Sequence, residues 1–208
     1  MRRGQVLAVD GERAVVQVFE GTSGVDGRNT KLEFTGDVLK TPVSEDMLGR
    51  IFNGGGVPRD RGPKLDDDLI PIVGPPVNPA RRVIPRTMIR TGLPMIDVFN
   101  SLVESQKLPI FSGGGLPHDR MAADIATNAR LPRGATGDFA IVFAGMGLPH
   151  DSADFFRRRL EQGGALERTA LFLNFAADSS TQRLLTPRYA LTAAEYLAFV
   201  EGKHVLAI

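Results

Sequence analysis

With 208 residues, 42% of them hydrophobic, the chain is long enough to bury a core and could form one domain or two small ones. Its 25 basic and 24 acidic residues nearly cancel, which gives no reason to expect a nucleic-acid partner or a nonspecific membrane surface. The absence of cysteine excludes disulfides, thiolate catalysis and cysteine-ligated zinc, and it fits a reducing compartment.

Two further absences concern targeting. No stretch approaches about 18 uninterrupted apolar residues, the length that a membrane-spanning helix needs. Met1-Arg2-Arg3 is followed by Gly4-Gln5 and charged residues rather than by the apolar core of a secretory signal. We therefore expect a cytoplasmic location.

The first part of the chain, residues 1–43, is rich in strand-forming patterns. Apolar segments at 6–9 and 14–19 are separated by Asp10-Gly11, a turn pair that supplies a positive φ, so we expect a hairpin there. Further strands are predicted at 31–34 and 38–39. The pattern predicts a small β-barrel or sheet.

The second part, residues 44–85, is rich in glycine and proline. Seven prolines from Pro58 to Pro85 exclude long helices and central strands. We interpret this part as a turn-rich connector that packs on the next domain. Within it, Asp66-Asp67-Asp68 is expected to be a solvated acidic turn rather than a metal site.

The third part, residues 86–208, alternates between helix and strand patterns, which is typical of a parallel sheet with crossover helices. Strands are predicted at 108–111, 139–144, 170–174 and 204–208. Helices are predicted after Thr91-Gly92-Leu93-Pro94, from His118, from a cap at Asp151 and Ser152, and from Thr186-Pro187. The first helix is expected to bury a face formed by Met95, Val98, Phe99 and Leu102.

The stretch 111–119 lies where a strand would lead into a helix, and it has the form of a phosphate-binding loop without its key groups. The formula G-x-x-x-x-G-K-[ST] supplies backbone N–H groups, a lysine and a hydroxyl that binds Mg²⁺. Here His118 occupies the lysine position, Asp119 would place a like charge against polyphosphate, and Pro117 lacks an N–H. We predict a degenerate nucleotide site formed by Ser112, Gly113, Gly114, Gly115, Leu116, Pro117, His118 and Asp119.

The same glycines have a simpler interpretation, because a tight strand-to-helix turn also uses them. Taken alone, the loop fits that interpretation better. The surroundings favour a phosphate-type loop, since an apolar run at 108–111 precedes it and apolar residues at helical spacing follow from Met121 to Ala129.

The last residues, 204–208, have the pattern of a buried strand. In proteins with a phosphate-binding loop such a strand delivers an acidic residue that assists Mg²⁺, and none is available here. An apolar tail without a cap leads us to expect a piece of a longer protein, the alternative being a short domain whose sheet ends at this point.

Seven stretches, in one order, are similar to the non-catalytic B subunit of V-type and archaeal-type (A-type) rotary ATPases. They cover almost the whole chain, and several long matches in one order are highly specific, whereas a lone glycine loop would be weak. The stretches are 17–24 (QVFEGTSG), 42–54 (PVSEDMLGRIFNG), 106–112 (QKLPIFS), 115–118 (GLPH), 164–169 (GALERT), 186–188 (TPR) and 190–198 (ALTAAEYLA).

This resemblance implies an α/β fold: a small N-terminal β-barrel portion followed by a RecA-like P-loop NTPase domain with a parallel sheet, incomplete at its C-terminus. It also implies a hexameric head in which catalytic and non-catalytic subunits alternate. The catalytic A subunit would supply the intact loop. This chain would form the other wall of the nucleotide site in a ring that couples ATP hydrolysis or synthesis to proton or sodium transport.

The resemblance further implies the ligands and partners. ATP or ADP would bind weakly at the subunit interface, with no metal ion of the chain's own. The partners would be the catalytic A subunit and the central-stalk and peripheral-stalk subunits, with no nucleic acid. The chain would belong to the soluble head on the cytoplasmic face of a membrane, which it would reach only through the rest of the complex.

A second position supports a non-catalytic role. In catalytic relatives a glutamate that polarises the attacking water follows the glycine after the second sheet strand. Here Gly147 is followed by Leu148 and Pro149, neither of which can act as a base. His150 is nearby, but a surface or capping histidine is the more common use of such a residue. We therefore predict no catalytic residue in this chain.

Other family positions differ or lie outside the chain. The arginine that reaches into the neighbouring catalytic site would lie beyond Ile208. Arg168 and Arg188 lie in matching stretches and are expected to form salt bridges or subunit contacts, and Glu167 is expected to serve packing or a subunit contact. Ser105 stands where a glycine is common, and Gly114 lengthens the glycine run.

Three other hypotheses stay open. An independent ATPase would need His118 in place of the lysine and an acid that is not visible in the sequence. A nucleic-acid motor with the same core would need a basic stripe interleaved with aromatic residues, which is absent. An interaction module that binds no nucleotide is the strongest of the three, because the loop keeps only backbone N–H groups and a helix N-terminus for phosphate.

Overall fold

The computed structural model describes residues 2–65 and 68–208. The strands are β1 (Gly4–Asp10), β2 (Arg13–Val18), β3 (Lys40–Pro42), β4 (Ile51–Asn53), β5 (Leu69–Pro71), β6 (Met88–Ile89), β7 (Leu102–Val103), β8 (Phe139–Leu148), β9 (Thr169–Phe175) and β10 (His204–Ala207). The helices are α1 (Pro94–Phe99), α2 (His118–Asn128), α3 (His150–Gln162) and α4 (Ser180–Phe199). Short 3₁₀ turns lie at Glu45–Met47, Pro79–Arg81 and Leu166–Arg168.

A parallel sheet with the strand order β10-β8-β9-β4 forms the centre of the fold. Its register pairs Ile141 with Thr169 and His204 with Phe139. β8 and β9 are almost continuously apolar because helices cover both faces of the sheet, as parallel sheets require. The predicted strands at 139–144, 170–174 and 204–208 are confirmed.

Helices α2 and α3 cover one face of the sheet. Phe156 and Leu160 of α3 pack with Ala123 and Ala126 of α2 against Phe143 of β8. Full burial of each large apolar side chain is worth about 1.5–3 kcal/mol, so this layer fixes α2 and the loop before it on the sheet. The apolar face predicted from Met121 to Ala129 is therefore present in α2, whereas Phe155 of α3 stays 38% exposed.

Helix α4 covers the other face. Tyr189 and Leu197 pack against Val142 and Phe172, and Phe19 joins the same cluster. The N-terminal region is thus attached to the sheet by a buried aromatic residue. The N-terminal region and the parallel sheet therefore share one hydrophobic core.

A glycine turn at 54–56 links the connector to α4. A β-carbon at Gly54 would lie 2.5 Å from Thr186 Oγ1, and Gly56 has a φ of +76°. The Thr186 hydroxyl donates a hydrogen bond to the Gly54 carbonyl at 3.1 Å. Because backbone and helix approach so closely, only glycine fits at position 54 without a shift.

The N-terminal predictions are confirmed in part. β1 and β2 form the expected antiparallel hairpin around Gly11, which has a φ of +56°. The strand predicted at 31–34 is wrong, because these residues are exposed coil without a ladder partner in the described part of the chain. The strand predicted at 38–39 lies instead at β3, which pairs with β5.

The connector 44–85 contributes more than turns. It holds no long helix within its described residues, as expected, but its β4 is the edge strand of the parallel sheet and pairs with β9. Asp66 and Asp67 of the predicted acidic turn lie outside the described residues, while Asp68 is exposed. The domain boundaries after residues 43 and 85 stay predictions.

The buried face predicted for α1 is wrong. Met95, Val98 and Phe99 are 69–77% exposed, and Leu102 is buried as part of β7 rather than of the helix. The carboxylate of Asp97 explains the difference. It accepts hydrogen bonds from the Thr91 N–H and hydroxyl and from the Gly92 N–H, which sets the helix orientation and leaves Ile96 as its buried residue.

Two helix starts differ from the predictions. α4 begins at Ser180, where the Ser179 hydroxyl accepts the Gln182 N–H at 3.2 Å, so Pro187 lies inside the helix and does not start it. α3 begins at His150 after Pro149, and Asp151 and Ser152 occupy its first turn without capping it. In both cases the actual start lies before the predicted one, where the chain leaves the preceding strand.

Candidate functional site

The loop 112–119 runs directly into α2. Every residue of it is exposed except Asp119, which is half-buried. The strand predicted before the loop at 108–111 is wrong, since these residues are coil and Phe111 is 92% exposed. In the described part of the chain no strand pairs with the outer edge of β10, so this apolar run has no place in the sheet.

The loop uses part of its own hydrogen-bonding capacity. The Leu116 N–H donates to the Gly113 carbonyl at 3.3 Å, and the His118 N–H donates to the Leu116 carbonyl at 2.9 Å. Pro117 has no N–H to offer. Gly115, with a φ of +85°, makes the turn, whereas Gly113 lies in open space. Within the described residues, the backbone N–H groups of the loop that have no partner are those of Ser112, of the three glycines and of the first helical residues after His118.

The side chains at the lysine and hydroxyl positions contact each other and their neighbours. The Ser112 hydroxyl lies 2.9 Å from His118 Nδ1, and His118 Nε2 lies 3.4 Å from Asp119 Oδ1. The Ser152 hydroxyl of α3 donates to Asp119 Oδ2 at 2.8 Å. The carboxylate also occupies the first turn of α2, where the helix dipole favours a negative charge. Asp119 is therefore a structural link between the loop and α3.

The carboxyl ends of β8 and β9 meet at a second polar cluster. Asn174, fully buried in β9, accepts hydrogen bonds through Oδ1 from the Gly147 N–H at 3.1 Å and from Arg183 Nε at 3.0 Å. Gly147 has a φ of +69°, and Arg183 Nη2 also donates to the Ala176 carbonyl at 3.2 Å. One amide side chain thus links the carboxyl ends of β8 and β9 to α4.

Around this cluster the structure places apolar and cationic side chains. Leu148 ends β8, and His150, the first residue of α3, stacks on Phe175 with ring centroids 4.3 Å apart. The Arg59 guanidinium lies 4.3 Å from the centre of the same ring. His150 is thus an exposed residue at a helix start, in agreement with the predicted surface histidine, although its side chain does not cap the helix. The Asn174 cluster was missed, although an asparagine at the end of an apolar strand is a usable signal.

Arg168 does not form the predicted salt bridge. It donates to the Thr127 and Ala129 carbonyls at 3.0 and 2.8 Å, and it lies over the ring of Phe139. A cation at these last carbonyls of α2 is favourable for the helix dipole, and burial lowers the pKa of Arg168. Arg188 lies on α4 and has no ion pair within the described residues. A subunit contact for Arg168, Arg188 or Glu167 stays a prediction.

Metal-ligand clusters and membrane-spanning helices were both considered in the described part of the chain. Among the described residues, no group of three or more His, Asp and Glu side chains is arranged to hold a metal ion. Across the same residues, no helix combines the length and the apolar character needed to cross a bilayer. The loop 112–119, which the sequence predicts to be a degenerate nucleotide site, contains no lysine or arginine.

Family models match most of the chain. Residues 92–208 match the nucleotide-binding domain of the ATP synthase alpha/beta family, and residues 1–36 match the beta-barrel domain of that family. The chain belongs to the ATP synthase alpha/beta family. The predicted fold class, a β-barrel portion followed by a nucleotide-binding domain with a parallel sheet, is confirmed. In the structure the segment 1–36 contributes the hairpin of β1 and β2.

Individual relatives agree with this assignment. The chain is 53% identical, over its whole length, to the V-type proton ATPase B subunits 1 and 2 of Acetabularia acetabulum and to the V-type proton ATPase B subunit of Dictyostelium discoideum. It spans 44% of the length of each of these relatives. The resemblance to B subunits that the sequence suggested is confirmed.

A solved structure gives the same result. The ATP synthase subunit NeqB from Nanoarcheaum equitans superimposes with a TM-score of 0.68 and 35% sequence identity. The match covers 81% of this chain and 40% of that one.

Proposed function

We propose that the chain acts as part of a non-catalytic, regulatory B subunit in the head of a V/A-type rotary ATPase. It forms one wall of a nucleotide site whose catalytic groups come from the A subunit. The observation that carries this proposal is the loop 112–119. Its lysine position holds His118, and its hydroxyl position holds Asp119, which is engaged by Ser152.

The electrostatics of the loop support weak nucleotide binding. Phosphate binding at such a loop depends on backbone N–H groups, a lysine and the helix N-terminus. Here two N–H groups donate within the loop, Pro117 lacks one, and the carboxylate of Asp119 lies at the helix start. ATP or ADP therefore binds weakly to this chain alone and more tightly when a catalytic subunit supplies the remaining contacts.

The wider role follows from the relatives. The V-type proton ATPase B subunits named above belong to a proton-transporting ATPase. By this likeness the chain operates in a head of alternating A and B subunits, with central-stalk and peripheral-stalk subunits as further partners. It lies on the cytoplasmic side of a membrane and couples ATP hydrolysis or synthesis to proton or sodium transport.

A turnover measurement tests the proposal. Phosphate release from Mg·ATP is followed for the chain alone, for a catalytic A subunit alone and for the two mixed. We expect no turnover by the chain alone and a change in the A-subunit rate on mixing. Turnover by the chain alone would overturn the non-catalytic role, and an unchanged A-subunit rate would overturn the shared site.

An interaction module that binds no nucleotide is the second candidate. The observation that favours it is the engagement of the Ser112, His118 and Asp119 side chains with one another and with Ser152. Cross-linking of a labelled, photoreactive ADP in the mixture of both subunits separates the two functions. Label on this chain supports the shared site, whereas label on the catalytic subunit alone supports the interaction module.

A further inference from the structure

A second concave surface lies away from the glycine loop. Residues 82–86 form one side of it, and Glu104 and Ser105 form the other, around a cavity of about 800 Å³. We call it the 82–86 groove. Its size is within the range of about 300–1,000 Å³ that binding clefts occupy.

The wall at 82–86 combines cationic and apolar side chains. Val83 and Ile84 are 85% and 81% exposed, and Arg82 and Arg86 flank them. An exposed apolar pair that is flanked by two charged side chains is typical of a contact surface rather than of a core.

The charge at this wall is not compensated locally. Residues 69–96 contain no aspartate or glutamate. Within the described residues, Arg81, Arg82 and Arg86 form no ion pair and no side-chain hydrogen bond. Some other surface arginines do have carboxylate partners, as Arg157 has Glu161 at 3.1 Å. The groove is therefore a local excess of positive charge in a chain whose net charge is only +1.

The opposite wall is held in place. Glu104 is paired with His204 Nδ1, and His204 Nε2 lies 3.2 Å from the Thr136 carbonyl. Ser105 has a φ of +62°, a left-handed conformation that fixes the turn at this wall. Glu104 is the one acidic residue in the lining, and it contacts His204 rather than the arginines, so the two arginines leave the groove with an excess of positive charge.

From this geometry we infer that the 82–86 groove binds an acidic, extended polypeptide segment of a partner protein. Carboxylates of the segment pair with Arg82 and Arg86, and an apolar side chain between them packs on Val83 and Ile84. A nucleic acid or a lipid headgroup offers phosphates but no apolar side chain in that register, so the alternation of charge and apolar surface favours a polypeptide. The inference does not depend on the nucleotide site.

Binding of defined probes to the full chain tests this inference. The probe is a fluorescein-labelled peptide of about eight residues, long enough to span residues 82–86, in which Glu and Leu take turns at every second position with Ser between them, so that both face the groove when the peptide is extended. A Lys and Leu peptide and a Glu and Ser peptide of the same length are the comparisons. We expect binding of the Glu and Leu peptide in preference to both, and weaker binding as the salt concentration rises from about 50 to 300 mM. Equal binding of the three peptides would overturn the inference.

Charge reversal locates the site. The double variant Arg82→Glu and Arg86→Glu is expected to bind the Glu and Leu peptide at least about tenfold more weakly, because both ion pairs become repulsive. The matched control is Arg13→Glu and Arg28→Glu, which reverses two exposed arginines that do not line the groove, and it is expected to bind like the wild type. Equal losses in both variants would contradict the assignment. Thermal melting checks that both variants fold.

Two further measurements separate the alternatives. Val83→Ser with Ile84→Ser keeps the charge and is expected to weaken peptide binding severalfold. Vesicles of phosphatidylcholine and phosphatidylserine, and an oligothymidine strand, are offered to the wild type and to the Arg82→Glu and Arg86→Glu variant. Binding of vesicles or oligonucleotide that this variant abolishes, without binding of the peptide, would overturn the inference in favour of an anionic lipid or a nucleic acid.

Discussion

The carboxylate of Asp119 accepts a hydrogen bond from the hydroxyl of Ser152 at 2.8 Å. Asp119, which we propose to stand in the position of a magnesium-binding hydroxyl, is thus part of the contact between α2 and α3. Its carboxylate lies in the first turn of α2, where the helix dipole favours a negative charge, and under our proposal it would oppose the phosphates of a nucleotide.

Restoring the loop chemistry is expected to increase nucleotide affinity. The triple variant Pro117→Gly, His118→Lys and Asp119→Ser regains an N–H, a cation and a hydroxyl, and it removes a like charge. Hydrogen bonds to charged groups contribute about 1.5–3 kcal/mol, so we expect Mg·ADP to bind at least about tenfold more tightly. Calorimetric titration of the wild type and the variant provides the comparison.

The single variant His118→Lys is the control for this experiment, because it adds the cation but keeps Asp119 and Pro117. It is expected to give a smaller gain than the triple variant. If the triple variant and the wild type bind Mg·ADP equally, the loop is not the nucleotide wall.

Removal of the Asn174 side chain is expected to destabilise the fold. Its Oδ1 accepts the Gly147 N–H and Arg183 Nε inside the protein, and Asn174→Ala leaves both donors without this acceptor. We expect a loss of about 2–3 kcal/mol in the free energy of unfolding, measured by urea denaturation. Asn29→Ala, at an exposed position, is the control and is expected to cost much less. Equal effects would show that the cluster does not hold the strand ends.

Replacement of the glycine at position 54 is expected to destabilise the fold. In Gly54→Ala the new β-carbon would lie 2.5 Å from Thr186 Oγ1 and 2.9 Å from Asn174 Cβ. Relief of this overlap requires a backbone shift, which typically costs about 1–3 kcal/mol. Gly113→Ala is the matched control, because a β-carbon there would meet nothing within 4 Å and the φ is not positive. Thermal melting of both variants checks the difference, and a Gly54→Ala variant as stable as Gly113→Ala would refute the close approach.

The pair of Arg50 and Asp60 predicts a loss of stability in acid. Hydrogen bonds from Arg50 lower the pKa of Asp60 from 3.8 to about 2. Because the pKa in the folded state lies below that of the unfolded state, the stabilisation is present above pH 4 and is lost as the pH falls from about 4 to 2. Because Asp60 lies at the surface, where solvent screens the ion pair, its contribution to stability at neutral pH is expected to be about 1 kcal/mol or less.

Comparison with Asp60→Asn isolates this contribution. The difference in unfolding free energy between wild type and variant is expected to shrink between about pH 5 and about pH 2, measured by urea denaturation at each pH. Glu12→Gln, at an exposed turn, is the control. A difference between wild type and Asp60→Asn that does not vary with pH would contradict the role of the ion pair.

Much of the fold follows from local sequence patterns. The hairpin around Gly11 and the apolar runs that form β8, β9 and β10 were predicted, because burial on both faces leaves a continuous apolar signal. The run at 108–111 carries a similar signal but has no neighbouring strand in the described part of the chain. A local apolar pattern does not specify which strand it would pair with, so periodicity alone cannot distinguish this run from a strand of the sheet.

The residues of the candidate site stay a prediction, and their contacts could not be read from the sequence. The missing lysine and the proline at 117 are visible in the sequence. The bond between Asp119 and Ser152 joins residues 33 positions apart, and the Asn174 cluster joins three separate elements. The predicted buried face of α1 is wrong for a related reason, because hydrogen bonds to the carboxylate of Asp97 set the orientation of the helix against its apolar spacing.

The measurement that tests the central claim most directly is calorimetric titration of Mg·ADP and Mg·ATP into the chain, alone and then together with a catalytic A subunit. A wall of a shared site predicts weak or undetectable binding by the chain alone and saturable binding when both subunits are present, in excess of what the A subunit shows on its own. Tight binding by the isolated chain, accompanied by phosphate release, would contradict the account.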